Sequence, residues 1–302
     1  MKRMVITKDC MLKASKNSEM LYELDDVDRS KLKKCLMEIY SDIESVCKKH
    51  KITVMLAYGS VLGAIRHKGF IPWDDDMDIM MPRKDFQKFV KIFKKELSKK
   101  YVLYAPTSEE GVARRFAQII KKNTRFVDVY NVNTSFEKGI CLDLFIIDNV
   151  PENQIIRNIK GRFADLIGFI GASVYIKKFD NQLTRDFMES TKRGKRNYKI
   201  RLLIGTVFSF FSYEKWYRIF DKIVSKEEKS EYYSDLTGLY LAPVMKKDIF
   251  VPPVEAEFEG RKVMIPNNAD IYLKKIYGDY MKIPPVEKRE RHYFVEFNIG
   301  EE

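Results

Sequence analysis

The chain has 302 residues, a formal charge of +12, and is 45% apolar and 13% aromatic, which excludes an intrinsically disordered protein and leaves room for one large or two small domains. Its four cysteines, Cys10, Cys35, Cys47 and Cys141, include no Cys-x-x-Cys pair, so they fit reduced thiols rather than a zinc site or a disulfide framework. The N-terminus reaches a charge before any apolar stretch of signal-peptide length, which implies a cytoplasmic protein.

After an N-terminal extension over residues 1–29, Leu32, Leu36, Ile39, Ile43 and Val46 recur three and four apart and predict an amphipathic helix over 30–49. A β-prone run over 52–58 ends at Gly59-Ser60, and a helix starts at 61–66. A second strand is expected over 74–81, closed by Pro82. The next helix, over 84–100, buries Phe86, Phe89, Val90, Phe93 and Leu97 and turns its lysines to solvent. Further β-prone runs lie at 115–120, 125–130 and 140–147. The class is therefore α+β, a mixed sheet with flanking helices, with a core over 30–150.

Residues 151–214 differ in character and read as an apolar and basic helical insertion. Two apolar runs, 163–176 and 202–211, bracket the segment 177–201, whose nine basic and three acidic residues supply half of the net charge. Neither run reaches the roughly 20 residues needed to span a bilayer. Two readings stay open: core helices joined by a solvated basic loop, or a surface that dips apolar residues into lipid while Lys and Arg meet anionic headgroups. Nucleic-acid binding by the same stretch is the weakest alternative. Residues 215–302 continue as a helical stretch and a Pro-rich, turn-rich region with a helix over 269–277; 277–285 reads as a packed turn.

The chemistry concentrates between Gly59 and Asp78. On an extended segment Asp74, Asp76 and Asp78 share one face, with alternate Cα atoms about 7 Å apart. Such a row repels itself unless a cation occupies it, and its hard oxygens suit Mg2+ or Mn2+. An EF-hand is rejected, because Ile79 and Asp85 stand where its Gly and Glu are required. Met77, Ile79, Met80 and Met81 make the run too apolar for a surface acidic turn. An Asp-x-Asp of the sugar-nucleotide glycosyltransferase kind stays open on these residues alone. Upstream, Gly59-Ser60 at a strand-to-helix turn offers amides, a hydroxyl and a helix N-terminus to an anion.

With the strand carboxylate Asp143, these features resemble the nucleotidyltransferase-fold pattern. The run Tyr58-Gly59-Ser60-Val61-Leu62-Gly63-Ala64-Ile65-Arg66-His67-Lys68-Gly69-Phe70-Ile71-Pro72-Trp73-Asp74-Asp75-Asp76-Met77-Asp78-Ile79 resembles the signature of the LicD family of phosphocholine transferases, related to the fukutin-type transferases. Lys122-Asn123-Thr124, Phe258-Glu259-Gly260 and Tyr277-Gly278-Asp279-Tyr280-Met281 extend the likeness, which covers roughly 30–150 and 245–292.

The resemblance implies metal-dependent transfer of a phospho-alcohol, most often phosphocholine from CDP-choline, to a hydroxyl of a surface-glycan or lipid-linked precursor, with CMP leaving. It implies metal at Asp76 and Asp78, helped by Asp74 and Asp143, although the spacing from Ser60 leaves Asp74/Asp76 open as the principal pair. Asp143 is also the candidate general base. Gly59, Ser60 and the basic triplet Arg66, His67 and Lys68 are the candidate phosphate binders, although such a triplet also suits a solvated loop. Lys121, Arg125, Arg289 and His292 are weaker candidates. Glycerol-phosphate or ribitol-phosphate transfer, nucleotidyl transfer to a nucleic acid or small molecule, and a non-catalytic membrane scaffold are the alternatives.

Overall fold

A computed structural model describes residues 21–106, 115–226, 229–235, 244–286, 289 and 292–300. Most of the expected N-terminal extension, including Cys10, lies outside the described residues. The first element, α1 (Asp26–Lys49), is capped by the Asp25 carboxylate, which accepts from the Asp28 amide, and buries Leu32, Leu36, Ile39 and Ile43 as their spacing requires.

A central mixed sheet follows. Its strands are β1 (Met55–Leu56), β2 (Asp78–Pro82), β3 (Tyr101–Tyr104), β4 (Ala117–Lys121) and β6 (Cys141–Asn149), in the order β1-β2-β6-β4-β3. Two short strands, β7 (Tyr232–Ser234) and β8 (Met245–Lys246), extend it beside the end of β6. The pair β2 and β6 runs parallel, whereas the other pairings are antiparallel. Helix α2 (Tyr58–His67) joins β1 towards β2, and α3 (Arg83–Glu96) follows β2 directly.

Two expected strands are shorter than their sequence pattern. The run 52–58 yields only Met55–Leu56, because Tyr58 already opens α2 at a φ of +41°. The strand expected over 74–81 starts only at Asp78, since the turn at Pro72-Trp73 places 74–77 in an extended loop. The strand expected over 125–130 forms as β5 (Arg125–Asp128), but pairs outside the central sheet with β11 (Phe294–Asn298).

The basic stretch, a solvated loop in one of the two open readings, is largely helical, as a helical insertion requires. Helix α4 (Gln154–Lys178) is followed by α5 (Gln182–Glu189), α6 (Lys192–Val207) and α7 (Tyr213–Val224). The side chains of Asn181 and Thr191 cap α5 and α6. These helices carry a second core built on Ile167, Ile170, Val174, Tyr175, Trp216, Tyr217 and Phe220. Gly171 lets α7 approach α4, since a Cβ there would meet Trp216 and Tyr217 at 3.1 Å.

Arg83 ties this helical layer to the sheet. Its guanidinium donates to both oxygens of Asp148 on β6 at 2.7 Å and to Asp221 on α7 at 2.8 Å, all three groups being largely buried. Burial pushes the Asp148 carboxyl up and Arg83 pulls it back. Removing the cation leaves two buried carboxylates uncompensated, so Arg83→Met should cost about 3–5 kcal/mol in chemical denaturation. A loss below about 1 kcal/mol would show that the tie is not structural.

Candidate active site

The hairpin of β9 (Val254–Phe258) and β10 (Arg261–Ile265), absent from the sequence reading, shapes one wall of the site. Its turn places Glu259 and Gly260 at φ of +50° and +70°, which a Gly in the second position makes easy. The Glu259 amide donates to the Lys68 carbonyl, and its carboxylate accepts from the Phe70 amide at 3.0 Å. Gly69 has no room for a side chain beside Glu259, and Gly63 none beside the Gly69 carbonyl. The loop from Lys68 to the acidic run is thereby clamped.

Within that run Asp74, Asp76 and Asp78 are half-buried while Asp75, Met77 and Ile79 are buried, the alternation of an extended segment with three carboxylates on its accessible side. Asp78 is held at both ends of its peptide unit: its amide donates to Ser60 Oγ at 2.9 Å, and its carbonyl accepts from the Ala57 amide at 2.9 Å. The parallel register sets Asp78 opposite Asp143. The Asp143 amide donates to the Met77 carbonyl, and Gln118 Nε2, from the facing position on β4, donates to Asp143 Oδ1 at 2.8 Å. Burial first, then Asp76, Asp143, Asp74 and Asp235, push the Asp78 carboxyl well above the usual carboxylate range.

These four carboxylates are the donor set expected from the sequence, and the structure brings them within electrostatic reach of one another. Their number and hardness fit a divalent cation of the Mg2+ or Mn2+ kind, whose charge would relieve the repulsion at Asp78. They are spread along the loop and two strands; among the described residues no three His, Cys, Asp or Glu side chains converge as a ready-made metal cluster.

The other expected residues divide. Gly59 lies in the first turn of α2, where an added Cβ would stand 3.2 Å from Asp74 Oδ2, so this helix end faces the acidic run. Ser60 is buried, its oxygen engaged by the Asp78 amide. Arg66 donates through Nε to His67 Nε2 and through Nη1 to the Tyr280 carbonyl at 2.6 Å. Burial, then Arg66 and Lys33, hold the His67 pKa below its ordinary value. Lys68 is exposed at the left-handed residue that ends α2. Among the weaker candidates, His292 hydrogen-bonds buried Asp75, and Arg289 stacks 4.1 Å above the Trp73 ring. Lys121 and Arg125 pair elsewhere, with Glu38 and Glu296.

Four further residues escape the sequence reading. The Tyr58 hydroxyl donates to Asp235 at 2.5 Å, and the Tyr58 amide donates to the Tyr272 hydroxyl at 3.1 Å. Tyr277 belongs to the run read as a packed turn, yet, although the residue is 42% exposed, desolvation on the side of its phenol that lies near Tyr272, Asp78, Asp74 and Asp76 raises its pKa above the ordinary value. It therefore stays a proton donor beside the acidic row. Asp235, Tyr272 and Tyr277 lie far along the chain from Asp78, so no local pattern announces them, and Tyr58, inside the signature run, shows its partner only in the fold.

Residues 51–159, which include every one of these candidate carboxylates and the Gly-Ser turn, match the family described as "LicD/FKTN/FKRP, nucleotidyltransferase domain". Over that region, about a third of its length, the chain is similar to the LicD family. Lipopolysaccharide cholinephosphotransferase LicD of Haemophilus influenzae is 29% identical over 281 residues, covering 87% of this chain and 95% of that protein. An uncharacterised protein of Rickettsia prowazekii, RP689, is 29% identical over 121 residues, 39% of this chain and 41% of its own. The α+β fold expected from the sequence is the one observed.

Two stability outcomes follow from the geometry. Ser60→Ala leaves the Asp78 amide without its acceptor and should cost about 1–3 kcal/mol in denaturant unfolding. Asp78→Asn removes one charge from a crowded row, so in EDTA it should stabilise the fold by more than the roughly 0.5 kcal/mol of a neutral surface change. Unchanged or lowered stability of Asp78→Asn would mean that the row is not under electrostatic strain.

Proposed function

We propose that the protein is a metal-dependent transferase that moves phosphocholine from CDP-choline to a hydroxyl of a lipopolysaccharide or other surface-glycan precursor, some of them lipid-linked, and releases CMP. The observation that carries this reading is the parallel pairing of Asp78 with Asp143 beside the Gly59-Ser60 turn, inside the region that matches the family. The name of the Haemophilus relative supports phosphocholine and a lipopolysaccharide acceptor. Cytoplasmic work at an anionic membrane surface belongs to the same reading, in which nucleic acid is not the expected partner.

In this reading the acceptor oxygen attacks the phosphorus that bears choline, the pyrophosphate P–O bond breaks, and CMP departs with the electron pair. Asp143, oriented by Gln118, takes the acceptor proton. Mg2+ or Mn2+ held by Asp76 and Asp78, with Asp74 and Asp143, would supply neutralisation of the donor's negative charge. Arg66 and His67, with Lys68 and the Gly59 end of α2, face the donor phosphates; Ser60 acts by holding the acidic strand. The Tyr277 phenol offers a hydrogen bond to a phosphate oxygen beside the row.

The test is to supply CDP-choline, CDP-glycerol, CDP-ribitol, UDP-sugars and ATP, each with Mg2+ and a glycan acceptor, and to identify the nucleotide released. CMP from CDP-choline supports the proposal; CMP from only CDP-glycerol or CDP-ribitol changes the alcohol, and UDP or a product of ATP overturns it. Asp76→Asn or Asp78→Asn should lower turnover by several orders of magnitude, the scale of a few kcal/mol of lost transition-state stabilisation. Full activity in EDTA would remove the metal.

Calorimetry with a non-hydrolysable CDP-alcohol separates the roles. Arg66→Ala should weaken donor binding, whereas Asp143→Asn should lose rate with donor affinity kept. Equal loss of affinity in both would undo that division.

A further inference from the structure

Helices α4 and α6 pack on one another, yet each leaves an apolar stripe uncovered. On α4, Ile155, Ile156, Ile159, Phe163 and Leu166 are all more than half exposed. At 100° per residue they fall within a wedge of about 100°. On α6, Ile200, Leu203 and Val207 are 44%, 66% and 59% exposed and occupy one similarly narrow face, which Arg193 and Arg196, both exposed, continue towards the helix start. Phe210, just past α6, is 66% exposed. Neither stripe includes an acidic side chain. The halves of the sequence's apolar runs expected to insert divide here: Ile167, Ile170, Val174 and Tyr175 belong to the second core, while the exposed stripe begins earlier, at Ile155.

A core origin does not explain large aliphatic groups standing in water beside arginines, and no helix among the described residues is long and apolar enough to cross a membrane. We infer that the stripes of α4 and α6 form a docking face for an anionic phospholipid bilayer, with the aliphatic residues seated at the headgroup–acyl boundary and Arg193 and Arg196 on lipid phosphates. The charge decides the occupant: an uninterrupted basic and apolar face, without a carboxylate to answer its arginines, does not complement a second copy of itself. The inference rests on the peripheral-membrane part of the proposed function and is independent of its catalytic part.

Co-sedimentation of the full chain with phosphatidylglycerol-containing and pure phosphatidylcholine vesicles tests it. Binding should be confined to the anionic vesicles and fall as salt rises. Ile156→Ser/Phe163→Ser/Leu203→Ser, and separately Arg193→Ser/Arg196→Ser, should each weaken binding by roughly tenfold or more while thermal unfolding and CMP release with a soluble acceptor stay unchanged. Because the two variants alter different side chains, a folding defect in one leaves the other decisive. Wild-type protein in the supernatant at low salt, wild-type binding retained by both folded variants, or a wild-type dimer that the apolar variant converts to monomer would overturn the inference. Loss of CMP release with vesicle binding intact would fault the catalytic reading alone.

Discussion

Everything at the site depends on one pairing, the parallel register of β2 on β6. Five consecutive residues of each strand face one another, from Asp78 opposite Asp143 to Pro82 opposite Ile147. The four residues that follow Asp78 are all buried, so both faces of the strand are packed, and a slip of one residue would force both faces to repack as well as separating the carboxylates. The apolar half of the strand pair thus fixes where the charged half lies. Carboxylates side by side are unfavourable for the fold, and the sheet tolerates them because the cost of breaking the register is larger.

The same strand links the site to the helical layer. β6 carries Asp143 at its beginning and Asp148 near its end, and Asp148 is held by Arg83 at the start of α3, directly after β2. Arg83 also reaches Asp221 on α7, whose aromatic side chains pack against α4. The acidic row and the α4–α7 layer are therefore joined by a buried ion triad as well as by the short link between β6 and α4.

How much of this could be read in advance depends on how local each signal is. The helix over Ala269–Tyr277 and the amphipathic stripe of α3 follow from spacing alone, and both are present. The acidic row was legible because alternating Asp with apolar partners has few other uses, although the extended backbone that aligns it is a loop before Asp78. In the basic segment one of the two open readings left a loop where Asn181 and Thr191 stand as helix starts. The roles of Tyr58, Asp235, Tyr272 and Tyr277 rest on contacts between residues as far as 214 apart, which no period or motif encodes.

The layout also constrains the acceptor. A strand rises about 3.3 Å per residue, so β6 carries the chain about 20 Å between Asp143 and Asn149, and α4 starts at Gln154. The first exposed aliphatic residue, Ile155, comes one residue later. With the α4 stripe on lipid, the acidic row is offset from the stripe's start by a rigid strand tied down at Asp148. A hydroxyl buried among headgroups would have to cross that offset, whereas one on the sugar end of a membrane-tethered glycan can meet it. On the proposed roles of Asp143 and the α4 stripe, the length of β6 favours the glycan, rather than the lipid that carries it, as the group presented to Asp143.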